Sequence, residues 1–314
     1  MKSELLKYLR CPICKKTLSI EKIDLIKDGE IIDGALTCKC GSNFFIKSGI
    51  PNMIIKTSSD TKKLVSSYDK KWEKFDYEKD YTYGLSPQKR VLNFLKNFDI
   101  KPKNLKGKTV FDGGCGNGRL ACNIAKYGCH VIAMDLSSIV KKAFRNCKAN
   151  TIHYIQGDLN NIPFEKNSFD FVWCHGVLMN VNKPHETFNI LADLVKTNGK
   201  LYTMFYSSEQ KNLYNKIRLI TWKIISKLPN FLQNYLCYLF TLILVIVKTL
   251  RHNNLSSNLV RESKGQYYEM FTTPYNHIYS QEEIIKWFKN KNFKDLKIKK
   301  ITSGFSFIVC GTKE

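Results

Sequence analysis

Apolar and polar positions follow two different periods along the chain, and the switches between them mark its elements. "GKTVFDGG" at 107–114 is a short apolar run that reads as a buried strand. "CGNGRLACNIAKYG" opens as a loop and continues as a helix, and "CHVIAMD" is a second strand. Strand, loop, helix and strand in that order make a unit of an α/β fold. Two further strands follow, "IHYIQGDL" ending at Asp158 and "FDFVWCHGVL" ending near Cys174 and His175. Beyond residue 206 the period becomes helical: Leu213, Ile217, Ile220, Ile224 and Leu228 recur until Pro229 breaks the chain. The most apolar stretch comes next, "NYLCYLFTLILVIVKTL" from Asn234 to Leu250, with an uninterrupted run of twelve residues from Leu236 to Val247. A membrane-spanning helix needs about 20 apolar residues, and a shorter run is more often a buried or interfacial helix. The chain closes with "SQEEIIKWFKNKNF", a helix with Ser280 as N-cap and Glu283 at capping-box spacing. "LKIKKI" and "GFSFIVCG" then alternate as a final antiparallel pair.

A length of 314 residues admits one large domain with a small appendage. Lys and Arg outnumber Asp and Glu by 50 to 27. That balance fits either a general compositional bias or an anionic partner, nucleic acid or a membrane surface. The N-terminal "MKSELLKYLRCPIC" has no apolar segment ahead of a small-residue cleavage site. The expected location is therefore cytoplasmic, with the inner face of the membrane as its extension. Eleven cysteines in that setting point to reduced thiols and metal ligands rather than a disulfide framework.

Four of the cysteines pair locally. Cys11 and Cys14 form C-x-x-C, and Cys38 and Cys40 form C-x-C ahead of Gly41. Two thiolate pairs flanking a β-rich stretch can close a tetrahedral zinc site, with Pro12 and Gly41 supplying turn chemistry. Four thiolates leave no open coordination position, so the expected Zn2+ is structural, and it would supply much of the folding free energy of so small a module. "LRCPICKKTL" and "LTCKCGSNFFIKSGIPNMI" resemble the zinc-ribbon module of the small activator proteins of tRNA and rRNA methyltransferases, over residues 1–56 and including the Gly-Ile-Pro ending. The C-x-C is shorter than the C-x-x-C of some members. The linker and N-terminal helices, 57–104, carry Trp72, Phe75, Tyr81 and Tyr83, which read either as a cover over a cofactor site or as helix anchors.

Asp112, Gly114, Gly116 and Gly118 spell D-x-G-x-G-x-G ahead of a helix N-terminus, where glycine permits a tight turn and close approach to a ligand. The dinucleotide pattern G-x-G-x-x-G fails at Arg119, and the Gly-Lys-Ser/Thr of a phosphate loop is absent. Asp135 ends the second strand, where a carboxylate can accept hydrogen bonds from ribose hydroxyls. Strand ends of an open α/β sheet line one crevice, so Gly114–Gly118, Asp135, Asp158 and His175 are expected along one edge.

Residues 105–206 resemble the class I S-adenosylmethionine-dependent methyltransferases. The resemblance implies a Rossmann-like sheet with S-adenosylmethionine as cofactor. The loop Gly114, Cys115, Gly116, Asn117 and Gly118 would hold its methionine part, Asp135 its ribose, and Asp158 with Leu159 its adenine. Asp112, Leu136, Ser137 and His175 complete the implied cofactor-binding set. "LVKTNGKLY" departs from the family's Lys-Pro-Gly-Gly turn, which Asn198 and Gly199 can still make. The sulfonium already activates the methyl group, so the enzyme chiefly aligns a nucleophile, with a general base where that nucleophile is protonated. His175 is the candidate base, or a lip residue offering only its backbone. "CHGV" stands where the exocyclic-amine and glutamine methyltransferases carry an Asn-Pro-Pro-Tyr motif.

Residues 207–279 separate the fifth strand from the closing helix and hairpin at 280–314, and so form an insertion. No acidic residue lies between Glu209 and Glu262, while Lys216, Arg218, Lys223, Lys227, Lys248, Arg251 and Arg261 are present. Three readings stand: a helical lid on the domain's own core, a lid that also meets an anionic membrane through residues 211–252, and a true span. "YYEMFTTPYNHIYSQEE" is similar to a segment of a bacterial methyltransferase group with the same insertion, with Glu269, Phe271, Thr273, Pro274, Tyr275 and His277 in matching places. Over the crevice, Tyr275 and His277 would join His175 as catalytic candidates; otherwise they tie the insertion to the last helix. The expected activity is methyl transfer to an O or N atom of a small-molecule or amphiphilic acceptor, lipid-linked or sugar-containing, with no obligate protein partner. RNA methylation and a non-catalytic scaffold are the alternatives.

Overall fold

A computed structural model of the chain describes residues 1–55, 62, 65–66, 68–69, 86–147, 149–209, 213–252, 273–301 and 306–314. Trp72, Phe75, Tyr81, Tyr83, Arg261, Glu262, Glu269 and Phe271 lie outside the described residues.

The N-terminal residues build an antiparallel sheet of β1 (Leu18–Lys27), β2 (Glu30–Cys38), β3 (Asn43–Lys47) and β4 (Ile50–Pro51) in that order. Asp28 and Gly29, at φ 52° and 74°, make the tight β1–β2 turn that matches strand twist. The remaining strands are β5 (Thr109–Gly113), β6 (His130–Asp135), β7 (Ile152–Gln156), β8 (Phe169–Cys174), β9 (Val195–Ser207), β10 (Ile278–Tyr279), β11 (Phe293–Ile301) and β12 (Ser306–Lys313). They form one mixed sheet in the order β11-β12-β9-β8-β5-β6-β7, with β10 added alongside β9. The run from β7 to β9 is parallel, and β12 and β11 are antiparallel. This is the α/β Rossmann-like methyltransferase fold.

The helices are α1 (Pro87–Asn97), α2 (Arg119–Ala125), α3 (Val140–Asn146), α4 (Pro184–Leu194), α5 (Leu213–Ile225), α6 (Asn230–His252) and α7 (Gln281–Asn290). Strand alternation sorts neighbouring residues onto opposite faces. Val110, Val131 and Ala133 face a core that includes residues of α1, α2 and α3. Phe111, Ile132 and Met134 face the other, against α4 and α7. Ser280 accepts from the Glu283 backbone N–H, the expected N-cap of α7. At Asn198, φ 61°, β9 slips register against β8: Val195 pairs with Phe169, then Lys200 with Phe171.

The cysteine-bearing sheet is fused to the main one. Leu5, Leu9, Leu36, Ile46 and Met53 belong to the same buried core as Phe111 and Ile155. Met53 N–H donates to Gln156 O (2.8 Å), and Asn52 bridges Gln156 in parallel, so the module's tail extends the sheet past its edge strand β7. Arg10 N–H donates to Pro163 O (2.8 Å) on the same side.

The insertion begins as a helical hairpin, α5 and α6, that turns at Pro229. Gln233 Nε2 donates to Ser226 O and Leu228 O at the end of α5, supplying donors to carbonyls that the helix leaves open. Ile225 and Cys237 are buried in the hairpin, with Trp222, Leu236 and Phe240 packed beside them. Ile220 and Ile224, part of the predicted apolar stripe, are instead exposed, because the hairpin closes through Trp222 and Ile225 on another face. Among the described residues, no helix is long and apolar enough to cross a membrane.

Cys122 in α2 is bonded to Cys147, the C-cap of α3. The expectation of reduced thiols is corrected for these two. They are 25 residues apart and meet because the helices on either side of β6 bring their Cα atoms to 5.9 Å.

Candidate active site and cysteine centre

Strand order reverses between β5 and β8, and such a switch point opens a crevice at the C-terminal strand ends. The glycine loop leaves β5 there. Gly114, Gly116 and Gly118 have φ of 79°, 54° and 73°, a left-handed geometry that favours glycine. A Cβ on Gly114 would lie 2.3 Å from Val177 Cγ2, and one on Gly118 would lie 2.7 Å from Ala143 Cβ. The loop is pinned to the neighbouring strand, since Gly114 and Cys115 N–H both donate to Met134 O (2.8 and 3.1 Å). Asn117 Oδ1 receives the Arg119 N–H at 3.4 Å, at the start of α2.

Asp135, at the end of β6, ties this loop to the next one. Its Oδ2 accepts from Gly116 N–H (2.8 Å), and its Oδ1 accepts from Ser137 N–H and Oγ–H (both 2.9 Å). Leu136 O accepts from Gln156 Nε2 at 3.3 Å. Asp112 is buried on β5, and its Oδ2 has no hydrogen-bond partner. Burial first, and the Asp135 charge second, push Asp112 up to about 7. Burial likewise raises Asp135 against its hydrogen bonds, with Asp69 adding to the rise. Asp69 lies in the linker and accepts from Ser138 N–H and Oγ–H (2.8 and 3.0 Å). Three carboxylates therefore converge at one edge of a chain of net charge +23.

His175 follows β8, with Nδ1 2.5 Å from Tyr202 Oη and the two rings stacked. Tyr202 is on β9, beside His175 because Trp173 and Tyr202 are register partners. His277 is bound to the loop that leaves His175: its N–H donates to Met179 O (2.9 Å), and its Nε2 lies 3.0 Å from Val181 O. Burial lowers the His277 pKa, against the opposing effect of its hydrogen bond to Val181 O. Tyr275 stacks near His277 at 6.2 Å between centroids. Asp158 lies two residues past β7, and its oxygens receive Asn160 N–H, Asn160 Nδ2 and Asn161 Nδ2. The next residue, Leu159, is buried against the β5 end. Asp69 and Tyr202 had no motif to announce them.

Cys11, Cys14, Cys38 and Cys40 form a compact group, all Sγ atoms within 4.8 Å of one another. Cys11–Cys40 and Cys14–Cys38 Sγ separations are 3.7 and 3.4 Å. Zn–S bonds of about 2.3 Å in a tetrahedron put sulfurs roughly 3.8 Å apart, so the group has the dimensions of a zinc site. The Ser42 hydroxyl, 3.3 Å from Cys40 Sγ, leads in drawing that thiol down to about 6.

Residues 111–203 match the family model of the methyltransferase domain. The chain is similar to the ubiquinone biosynthesis O-methyltransferase of Coxiella burnetii, 33% identical over 111 residues, covering 34% of this chain and 46% of that protein. The demethylmenaquinone methyltransferase of Renibacterium salmoninarum is 33% identical over 101 residues, 32% of this chain and 42% of that one. The chain spans less than half the length of these curated relatives. In fold, it is similar to the magnesium protoporphyrin IX methyltransferase of Synechocystis PCC 6803 with bound SAH, at TM-score 0.51 and 16% identity, covering 82% of this chain and all of that one (100%).

Proposed function

We propose that the chain is an S-adenosylmethionine-dependent methyltransferase acting on a small-molecule acceptor, with a structural zinc ion in its N-terminal module. The observation that carries this reading is the acidic crevice in a basic protein. An anionic nucleotide would meet Asp112, Asp135 and Asp69 with like charge. S-adenosylmethionine brings a sulfonium and an ammonium, and the unpartnered Asp112 Oδ2 is an acceptor suited to such a ligand. The glycine loop, with no room for a Cβ at Gly114 or Gly118, lets ligand and backbone approach. In this reading Gly114–Gly118 hold the methionine part, Asp135 with Leu136 and Ser137 the ribose, and Asp158 with Leu159 the adenine.

The cofactor supplies a methyl group that is already activated. The chain's own task is then to align an acceptor atom and exclude water. In this reading His175, hydrogen-bonded to Tyr202, takes a proton from a hydroxyl acceptor. Tyr275 and His277, tied to the loop after β8, would shape the acceptor side. The quinone-pathway relatives favour a small-molecule acceptor. The four thiols, leaving no open position, suit a structural ion.

Calorimetry with S-adenosylmethionine tests the reading. Binding is expected, with affinity falling roughly 100-fold in Asp135→Ala as its hydrogen bonds to ligand and loop are lost. A folded protein with no binding would refute the enzyme reading. Labelled-methyl transfer into lysate should then mark the small-molecule or lipid fraction, whereas label in RNA would refute the acceptor class.

A further inference from the structure

Large apolar residues of the α5–α6 hairpin stand in solvent. Among the described side chains of α6, Gln233, Cys237 and Thr241 are buried, and two of the three are polar. Phe231, Tyr235, Leu239, Leu242, Ile243 and Ile246 are exposed, Phe231 at 70% and Ile243 at 57%. At 3.6 residues per turn these six fall within about 120° of arc, and the buried three lie diametrically opposite. Ile220 and Ile224 on α5, both 59% exposed, add to the apolar surface. The hairpin has therefore closed through its small inner cluster and left this apolar stripe facing outward.

Charge decides what this surface fits. Residues 213–252 carry Lys216, Arg218, Lys223, Lys227, Lys248 and Arg251, and no Asp or Glu. A second copy of the chain would bring the same positive charges to the contact, which disfavours self-association. A nucleic acid would be drawn by the charge but has no counterpart for a stripe of Leu and Ile. An anionic lipid surface answers both features: acyl chains for the stripe, headgroups for the basic residues. With no described helix able to cross a membrane, the hairpin would lie in the interface plane.

We propose that α5 and α6 form a docking surface for an anionic membrane, holding the methyltransferase domain against the lipid face. This stands independently of the methyl-transfer reading. The test is flotation of the full-length protein with phosphatidylcholine vesicles, with and without phosphatidylglycerol. Wild type should float with the anionic vesicles and be released by salt. Ile243→Asp combined with Ile246→Asp, and separately Lys223→Glu combined with Lys227→Glu, should each lower partitioning roughly tenfold or more. Near-ultraviolet circular dichroism and thermal melts of the same variants should be unchanged, which separates loss of docking from loss of fold. No flotation of wild type, equal flotation with neutral vesicles, or flotation indifferent to both variants would overturn the proposal. So would a wild-type dimer in sedimentation equilibrium that the Asp variant dissociates, because the stripe would then be a self-interface.

Discussion

The N-terminal module and the insertion after β9 are both additions to one sheet, and they place their apolar residues in opposite directions. Leu5, Leu9, Leu36 and Met53 are fully buried, in a core shared with Phe111 and Ile155. The module also donates backbone hydrogen bonds to the main domain through Arg10 and Met53. Among its described side chains, the α5–α6 hairpin has a two-residue buried cluster, Ile225 and Cys237, and leaves most of the large apolar ones in solvent. An addition that joins the core folds with it. One that keeps its own small cluster can serve as a contact surface, and its stability is local.

The largest expected effect follows from the first half of that contrast. Removing metal with a chelator, or substituting Cys38→Ser, should destabilise the module by an amount on the order of 10 kcal/mol, the scale of structural zinc binding. Because the core is shared, near-ultraviolet circular dichroism should report loss of the whole domain in one transition. Full metal retention in Cys38→Ser would contradict the four-thiolate site, and a melting module under an intact sheet would break the claim of fusion. Leu9→Ala comes next, with an expected cost of about 2–5 kcal/mol for a cavity in a closed core.

Asp112 gives a smaller, pH-dependent effect in the same sheet. Its folded pKa, raised to about 7, means the folded state holds this proton more tightly than the unfolded chain. The resulting stabilisation is complete below the ordinary carboxylate range and is lost as pH rises through about 7. Asp112→Asn should therefore stabilise the ligand-free protein at pH 8 relative to wild type, by up to a few kcal/mol in order of magnitude, and by much less at pH 4. Affinity for the cationic cofactor should fall below pH 7 in wild type and lose that dependence in the Asn variant. Thermal melts across pH check the first statement; equal melting of the two proteins at pH 8 would remove the buried-charge account.

Much of this was legible in the sequence, for physical reasons that also set the limit. Strands β5 to β8 announce themselves because each is apolar on both faces, and the glycine loop because few other residues take its φ values. The cysteine pairs are legible because metal sites are built from local spacing. Contacts made by topology are not. Tyr202 meets His175 across a strand pair, Asp69 reaches Ser138 from a linker with no period, and Cys122 in α2 meets Cys147 at the end of α3. Periodicity likewise located Ile220 and Ile224 on a stripe without saying what that stripe faces.

The smallest expected effect closes the comparison from the insertion's side. Ile243→Ser removes a large apolar side chain, yet Ile243 is 57% exposed, so no closed cavity is left and little burial is lost. Ile and Ser have similar helix propensity, so α6 itself gains or loses little. The stability change in urea should stay within about 0.5 kcal/mol, at an unchanged m-value. Leu9→Ala, a change of similar size in the module, should move the midpoint several times further. A loss above roughly 1 kcal/mol in Ile243→Ser would mean that the chain itself covers this stripe in solution, and the stripe could no longer be counted as a free docking surface.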